Sequence, residues 1–239
     1  MKKRISMTVF AAVALTSGFA AAEQLGDNGT FAIGVDRIFG YVSDSQSYES
    51  AAVAGVPGSK YETTVSEFSF LGRAAGILVA QVPRLSFDAF LGPGVSFGGS
   101  IMYEHFSTTN KVAGVEDPDK PSTGIWLISP RVGFAHMFTP EVGIWPRAGI
   151  MYAHTSSDSS STNVATGVVT KNSDTVGTLY YTMDVNLVVT PVPHIGFTIG
   201  PTLDYLLSYS SSRTPPATSP STNQKELALG IQAGFLGWF

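Results

Sequence analysis

The chain has no cysteine in its 239 residues. That excludes a disulfide scaffold, a thiolate metal site and a cysteine nucleophile. It is also poor in charge. Only 13% of residues are Asp, Glu, Lys or Arg, against about 25% in soluble domains. The deficit is not made up by long apolar runs, since just 44% of residues are hydrophobic. The net charge of -4, with no Lys/Arg cluster after residue 4, argues against nucleic acid as a partner. No glycine-rich phosphate loop, no histidine-rich metal spacing and no Gly-x-Ser-x-Gly elbow occurs, so no metal and no cofactor is implied.

Lys2, Lys3 and Arg4 precede a mostly apolar stretch from Met7 to Leu15, and Ala20-Ala21-Ala22 stands before Glu23. This is the pattern of a secretory signal peptide over 1–22. The apolar run falls short of the roughly 20 residues that a transmembrane helix needs. Residues 23–239 then form one domain.

In that domain the period is two rather than 3.6. Ile195, Phe197, Ile199, Leu203, Tyr205 and Leu207 alternate with Gly196, Thr198, Gly200, Thr202 and Asp204. Val95, Phe97, Ile101 and Tyr103 repeat the pattern, as do Leu179, Tyr181, Met183, Val185, Leu187 and Val189. Tight connections carry proline: Gly92-Pro93-Gly94, Thr139-Pro140-Glu141 and Thr190-Pro191-Val192-Pro193. Proline pre-sets φ for such turns. Long connections rich in Ser, Thr and Asn lie at 43–61, 108–121, 156–173 and 210–223. These marks predict eight strands, at 30–42, 83–91, 95–107, 122–138, 143–155, 174–189, 195–209 and 224–239. Residues 63–71 either extend the second strand across an irregular stretch or belong to the first loop. A ten-strand alternative follows if 62–82 forms an extra hairpin.

The two faces of these strands differ in kind. One is aliphatic and aromatic with almost no charge. The other holds Gly, Ser, Thr and a few charged groups. The lysines Lys60, Lys111, Lys120, Lys171 and Lys225 fall in loops or at strand ends. A bare apolar exterior would aggregate in water. It suits lipid, where a closed barrel satisfies every backbone hydrogen bond. Tyr41, Tyr103, Trp126, Tyr152, Tyr181 and Tyr205 gather near the long-loop ends, and Phe31, Phe97, Phe138, Phe197 and Phe239 near the tight turns. Two aromatic girdles mark two membrane interfaces. The fold class is therefore all-β, an eight-stranded antiparallel up-and-down transmembrane β-barrel.

With these features the chain resembles the small outer-membrane β-barrels of Gram-negative bacteria, the OmpA/OmpX/OmpW-like group. The most specific stretch is 231–239, where a terminal aromatic follows apolar residues at alternate positions. By resemblance, Ile231, Ala233, Phe235, Trp238 and Phe239 form the signal read by the barrel assembly machinery. The resemblance implies a monomer in the outer membrane, with tight turns in the periplasm and long loops outside. Its partners would be outer-membrane lipid, lipopolysaccharide and the assembly machinery. It implies no particular activity, because one scaffold serves many functions.

Alternation points Asp36, Arg84, Asp88, Arg131, Arg147, Asp184 and Asp204 inward, at middle height. An eight-stranded barrel is just wide enough for side chains to fill, and a buried charge needs a partner. The expectation is a salt-bridge belt that plugs the interior, with Arg147 paired to Asp184 across neighbouring strands. The alternative is a narrow channel for small solutes lined by the same charges. Arg37 is directed toward lipid by strict alternation; it either snorkels or is turned inward by a bulge. Among the four histidines, His105 and His154 each begin a His-x-Ser at the top of a strand. A lipid A-modifying hydrolase is a third reading on that basis, but lipid A deacylases follow the motif with Asn where Thr108 and Ser157 stand here. The reading preferred is a non-enzymatic barrel with a structural or surface-binding role through its long loops.

Overall fold

A computed structural model of the protein describes residues 24–50, 60–70, 82–107, 111–112, 115–116, 122–163, 168–214 and 222–239. The expected signal peptide lies outside the described residues. Among the described residues twelve strands follow in order: β1 (Phe31–Ser50), β2 (Lys60–Phe70), β3 (Arg84–Gly92), β4 (Val95–Ser107), β5 (Lys111–Val112), β6 (Val115–Glu116), β7 (Ser122–Phe134), β8 (His136–Met137), β9 (Val142–Asn163), β10 (Val168–Val192), β11 (Ile195–Thr214) and β12 (Thr222–Trp238).

Eight of these close a ring. Antiparallel pairing runs β1–β3–β4–β7–β9–β10–β11–β12 and returns to β1. The seam is sealed where Phe31 and Phe239 exchange both backbone hydrogen bonds, at 2.9 and 3.1 Å. Phe31 and Phe239 also pack ring on ring, 5.6 Å apart. The extra strands do not enlarge the barrel. β2 pairs with the upper part of β1, from Phe39–Phe70 to Glu49–Lys60, and β3 pairs with its lower part, from Phe31–Ala89 to Asp36–Arg84. β2 and β3 thus occupy one wall position in succession, and the ring has eight members rather than ten. Residues 71–81, between them, lie outside the described residues.

Several stretches expected to be loops are strand. β9 and β10 stay paired from Val142–Val189 up to Asn163–Val168, through the serine run. β11 continues to Thr214 against β10, and β12 begins at Thr222 against β1. The ladder needs only backbone groups, and Ser and Thr tolerate water on both faces, so polarity alone did not mark the end of pairing. Conversely, the expected strand 122–138 is interrupted at Ala135. Its N–H bonds to the Gly94 carbonyl at 2.7 Å and its side chain is buried.

The turn end is tightly built. Pro93–Gly94 and Pro193–His194 both place a left-handed residue after proline, with φ of 74° at Gly94 and 65° at His194. Glycine adopts that region freely; histidine does not. At His194 the strain is offset by a 2.9 Å contact from ring Nδ1 to the Trp238 carbonyl. In the third turn, the Thr139 hydroxyl accepts from the N–H groups of Glu141 and Val142 at 3.3 and 3.1 Å.

Outside, the wall is a continuous apolar band. Leu91, Phe97, Val132, Phe197, Ile231 and Phe235 are among its exposed side chains. Tyr41, Tyr103, Trp126, Tyr152, Tyr181 and Tyr205 are exposed toward the loop end, and Phe97, Phe138, Phe197 and Phe239 toward the turn end. Among the described residues no helix is long and apolar enough to cross a membrane; the strands do the crossing. Each of the long strands β9, β10, β11 and β12 exceeds the 9–11 residues that a tilted span requires.

Candidate functional site: a layered barrel interior

Three layers fill the barrel. The middle one holds the charges. Asp36, Arg84, Asp88, Arg131, Arg147, Asp184 and Asp204 are all buried, as alternation places them. An eighth joins them. Between Val35–Phe235 and Phe39–Ala233 the β1–β12 register shifts, so that Asp36, Arg37 and Ile38 stand opposite Gly234. Arg37 adopts φ 58°. Two extra residues leave the rest of β1 on its proper face while Asp36 and Arg37, consecutive in sequence, both point inward. The bulge takes Arg37 out of lipid, and the belt becomes four arginines and four aspartates.

Seven of the eight form an alternating chain. Arg131 bridges two carboxylates, giving one terminal nitrogen to Asp36 and its Nη2 and Nε to Asp88, the latter at 3.3 Å. Arg147 reaches Asp36 at 3.3 Å and Asp184 at 3.4 Å. The expected Arg147–Asp184 pair is thus present, between directly opposed residues of β9 and β10. Arg37 grips Asp204 with both terminal nitrogens, at 2.6 and 3.1 Å, and lies 3.5 Å from Asp184. The order is Asp88–Arg131–Asp36–Arg147–Asp184–Arg37–Asp204. The Thr202 hydroxyl ties two links, accepting from Arg37 at 3.0 Å and donating to Asp184 at 2.8 Å. Arg84 lines the same space, within electrostatic reach of Arg37, Asp204, Asp184 and Asp36. The void left among these groups is about 10 Å³, close to the volume that one water centre occupies.

Apolar layers bracket the belt. At the turn end, Ala32, Phe90, Ala135, Trp145, Val188, Leu236 and Trp238 pack around Leu25. Leu25 belongs to no strand. It sits in the segment 24–30, which crosses the mouth: the Gly94 N–H donates to the Gly26 carbonyl at 2.8 Å, and Gln24 Nε2 reaches the Thr139 carbonyl at 3.3 Å. Trp145 joins this layer to the belt. Its Nε1 donates to Ser96 at 3.1 Å, and the Arg147 guanidinium lies 4.8 Å from its ring centre. At the loop end, Leu127, Met151, Ala153, Tyr180 and Leu206 form a second apolar layer, with Met102 against it. Above it stand two further acids. Tyr180 donates to Glu226 at 3.0 Å, and Gln46 donates to the fully buried Asp44 at 2.7 Å.

The inward face is therefore not only small, polar and charged, as its sequence suggested. Large apolar residues occupy the inward positions nearest the turns. Phe90, Trp145, Leu236 and Trp238 were legible by alternation, but Leu25 was not, because it precedes the first strand. In the terminal stretch, Ile231, Phe235 and Phe239 face outward with Ala233, whereas Trp238 points into the barrel. The His-x-Ser pairs lie near the outer girdle. His154 stacks on Trp126, 5.4 Å away, and His105 and Ser156 stand on either side of Gly124 across three strands. Among the described residues no group of acids and histidines is arranged to hold a metal.

No protein-family model and no curated protein matches the chain. Solved structures do. The outer membrane protein OprG from Pseudomonas aeruginosa is 13% identical, with 89% of this chain and 97% of that chain covered and a TM-score of 0.47. The outer membrane protease OmpT from Escherichia coli is 10% identical over 91% and 98%, with a TM-score of 0.44. Ail, the attachment invasion locus protein of Yersinia pestis, is 12% identical over 87% and 99%, with a TM-score of 0.35. Likenesses so distant transfer no function. The chain's own geometry, an eight-membered antiparallel ring with an exposed apolar band between two aromatic girdles, is that of a small transmembrane β-barrel.

Proposed function

We propose that the protein is a closed barrel that anchors its loop-end hairpins at the cell surface, in a structural or surface-binding role. The observation that carries this reading is the stacking of the interior. A balanced belt with room for about one water lies between two apolar layers, and Leu25 stops the turn-end mouth. A permeation path would need a connected wet column. Here buried Ser, Thr, Asn and Gln side chains flank the belt, and beyond them hydrocarbon closes both ways out; moving an ion through those apolar layers would cost several kcal/mol. The rigid wall and the long hairpins of β9–β10 and β1–β2 suit presentation of surface to a partner, with outer-membrane lipid and lipopolysaccharide as the immediate surroundings and the barrel assembly machinery acting on the terminal stretch.

Single-channel recording of the refolded protein in a planar bilayer tests the reading. Wild type is expected to be silent, without discrete steps. Regular steps from wild type, changed in size by Arg147→Ala, would replace it with a narrow channel. A second expectation concerns the stopper. Leu25→Ala should lower stability by roughly 2 kcal/mol through the cavity it leaves, measured as a shift in the urea unfolding midpoint. No shift would mean that segment 24–30 does not seal the mouth in solution.

A further inference from the structure

A cavity of about 280 Å³ opens at the loop end, against β2, β1, β12 and the girdle residue of β11. Two outward rungs of the sheet line it, with Gln46, Thr63 and Glu226 of the rung between them, which belongs to the inward face. In the lower rung, Ser45 of β1 stands between Thr64 of β2 and Leu227 of β12, and Leu227 stands beside Tyr205 of β11. In the rung above, Ser47 stands between Glu62 and Lys225. Tyr205, Leu227, Lys225, Ser45, Thr64 and Glu62 are exposed. Among the described residues the β11–β12 ladder ends at Tyr205–Leu227, while β12 continues upward against β1 and β11 against β10. The wall therefore parts at this height, and the cavity lies where it parts.

Its chemistry is graded along the membrane normal. Directly below, Leu229 and Ile231 of β12 face lipid. Tyr205 and Leu227 come next, at the level of the outer girdle. Two residues higher, about 7 Å along the strand, stand a carboxylate, a hydroxyl and an ammonium. An occupant matching this order has a hydrocarbon tail, a face that packs on an aromatic ring, and a head rich in hydroxyls. Tyr205 offers the ring face. Ser45, Ser47 and Thr64 offer hydroxyls, and Glu62 and Lys225 offer an acceptor and a donor. Among the described lining residues, the acids Glu62 and Glu226 outnumber the one cation, Lys225, so a phosphate is disfavoured. The volume is at the lower edge of the 300–1,000 Å³ typical of small-molecule pockets, which suits one or two sugar rings.

We propose that this cavity binds the uncharged saccharide head of an outer-leaflet glycolipid, with the tail lying along the β12 wall. The inference rests on the membrane placement argued above, with the long hairpins outside the cell. Insertion of the protein into a nanodisc tests that placement separately. The test is NMR of the full refolded chain in phosphatidylcholine nanodiscs doped with diglucosyl diacylglycerol. The expected result is saturable amide shifts confined to Ser45, Ser47, Glu62, Thr64, Lys225 and Leu227. Tyr205→Ala should weaken the response at least tenfold. Ser47→Trp, which crowds the cavity from the outward rung between Glu62 and Lys225, should abolish it and covers the case in which Tyr205→Ala fails to fold. Equal doping with phosphatidylglycerol, and free maltose in solution, should leave these amides in place. Shifts spread evenly around the girdle, or a response unaltered by Ser47→Trp, would overturn the site. An equal response to phosphatidylglycerol would overturn the sugar, and an equal response to free maltose would overturn the lipid source.

Discussion

Replacing Arg131 with methionine is expected to destabilise the barrel by roughly 3–5 kcal/mol, the range for removing one partner of a buried ion pair. Arg131 is the link between Asp88 and Asp36, and its side chain is 5% exposed. Without it Asp88 stands at the end of the chain with Arg147 at 4.0 Å, a much longer ion pair than the one lost. Buried carboxylates cannot recover their hydration, so the loss exceeds that of a surface pair, whose median is about 0–1 kcal/mol. Arg213–Asp174 supplies the control. That pair is made at 3.2 Å but is about half exposed, and Arg213→Met should change stability by less than about 1 kcal/mol. Reversible urea unfolding in lipid vesicles measures both. Adding Asp88→Leu to Arg131→Met should regain much of the loss, because the cost lies in the unpaired charge rather than in the absent bond. If the double variant is as unstable as the single one, the belt is not held by charge balance.

Substituting Gly200 with alanine should cost roughly 3 kcal/mol, at the upper end of what forced overpacking costs. A Cβ on Gly200 would lie 1.9 Å from the Val185 carbonyl oxygen and 2.9 Å from the Asn186 Cα. Both obstacles are backbone, so no rotamer change relieves them; β10 and β11 would have to part. Gly98 and Gly149 are in the same position, each 2.1 Å from a backbone oxygen of a neighbouring strand. Close strand approach at these points is what a strongly twisted small barrel demands. Gly92→Ala meets nothing within 4 Å and should leave the unfolding midpoint unchanged. The fraction of refolded protein that keeps its compact mobility in an unheated gel gives an independent readout. Equal yields for Gly200→Ala and Gly92→Ala would show that the wall yields more easily than its packing implies.

Much of the fold was legible because membrane and alternation impose the same rule. Lipid outside forces apolar residues to odd or even positions along each strand, and that parity could be read for β4, β10, β11 and β12 directly. The same parity delivered the seven charges and the Arg147–Asp184 pair. It failed where parity itself breaks. Arg37 looked misplaced because a two-residue bulge with positive φ is not written in hydrophobicity. The long hairpins looked like loops because Ser and Thr carry no burial signal above the membrane, where neither face is buried. That the inward apolar residues gather into two layers escaped for a different reason. Their members come from strands far apart in sequence, and Leu25 comes from no strand at all.

The sequence by itself determined that this chain lacks a soluble exterior, that its strands alternate, that girdles flank them, and that charges must meet inside. Composition and period suffice for these, since each is a property of residues and their near neighbours. Only the tertiary structure decided that eight strands close the ring with β2 stacked above β3, that Arg37 completes a neutral belt, and that apolar layers seal it. It also decided where the wall parts to leave the cavity beside Tyr205. Those outcomes depend on register, bulges and closure, which are set by how the whole ring fits together.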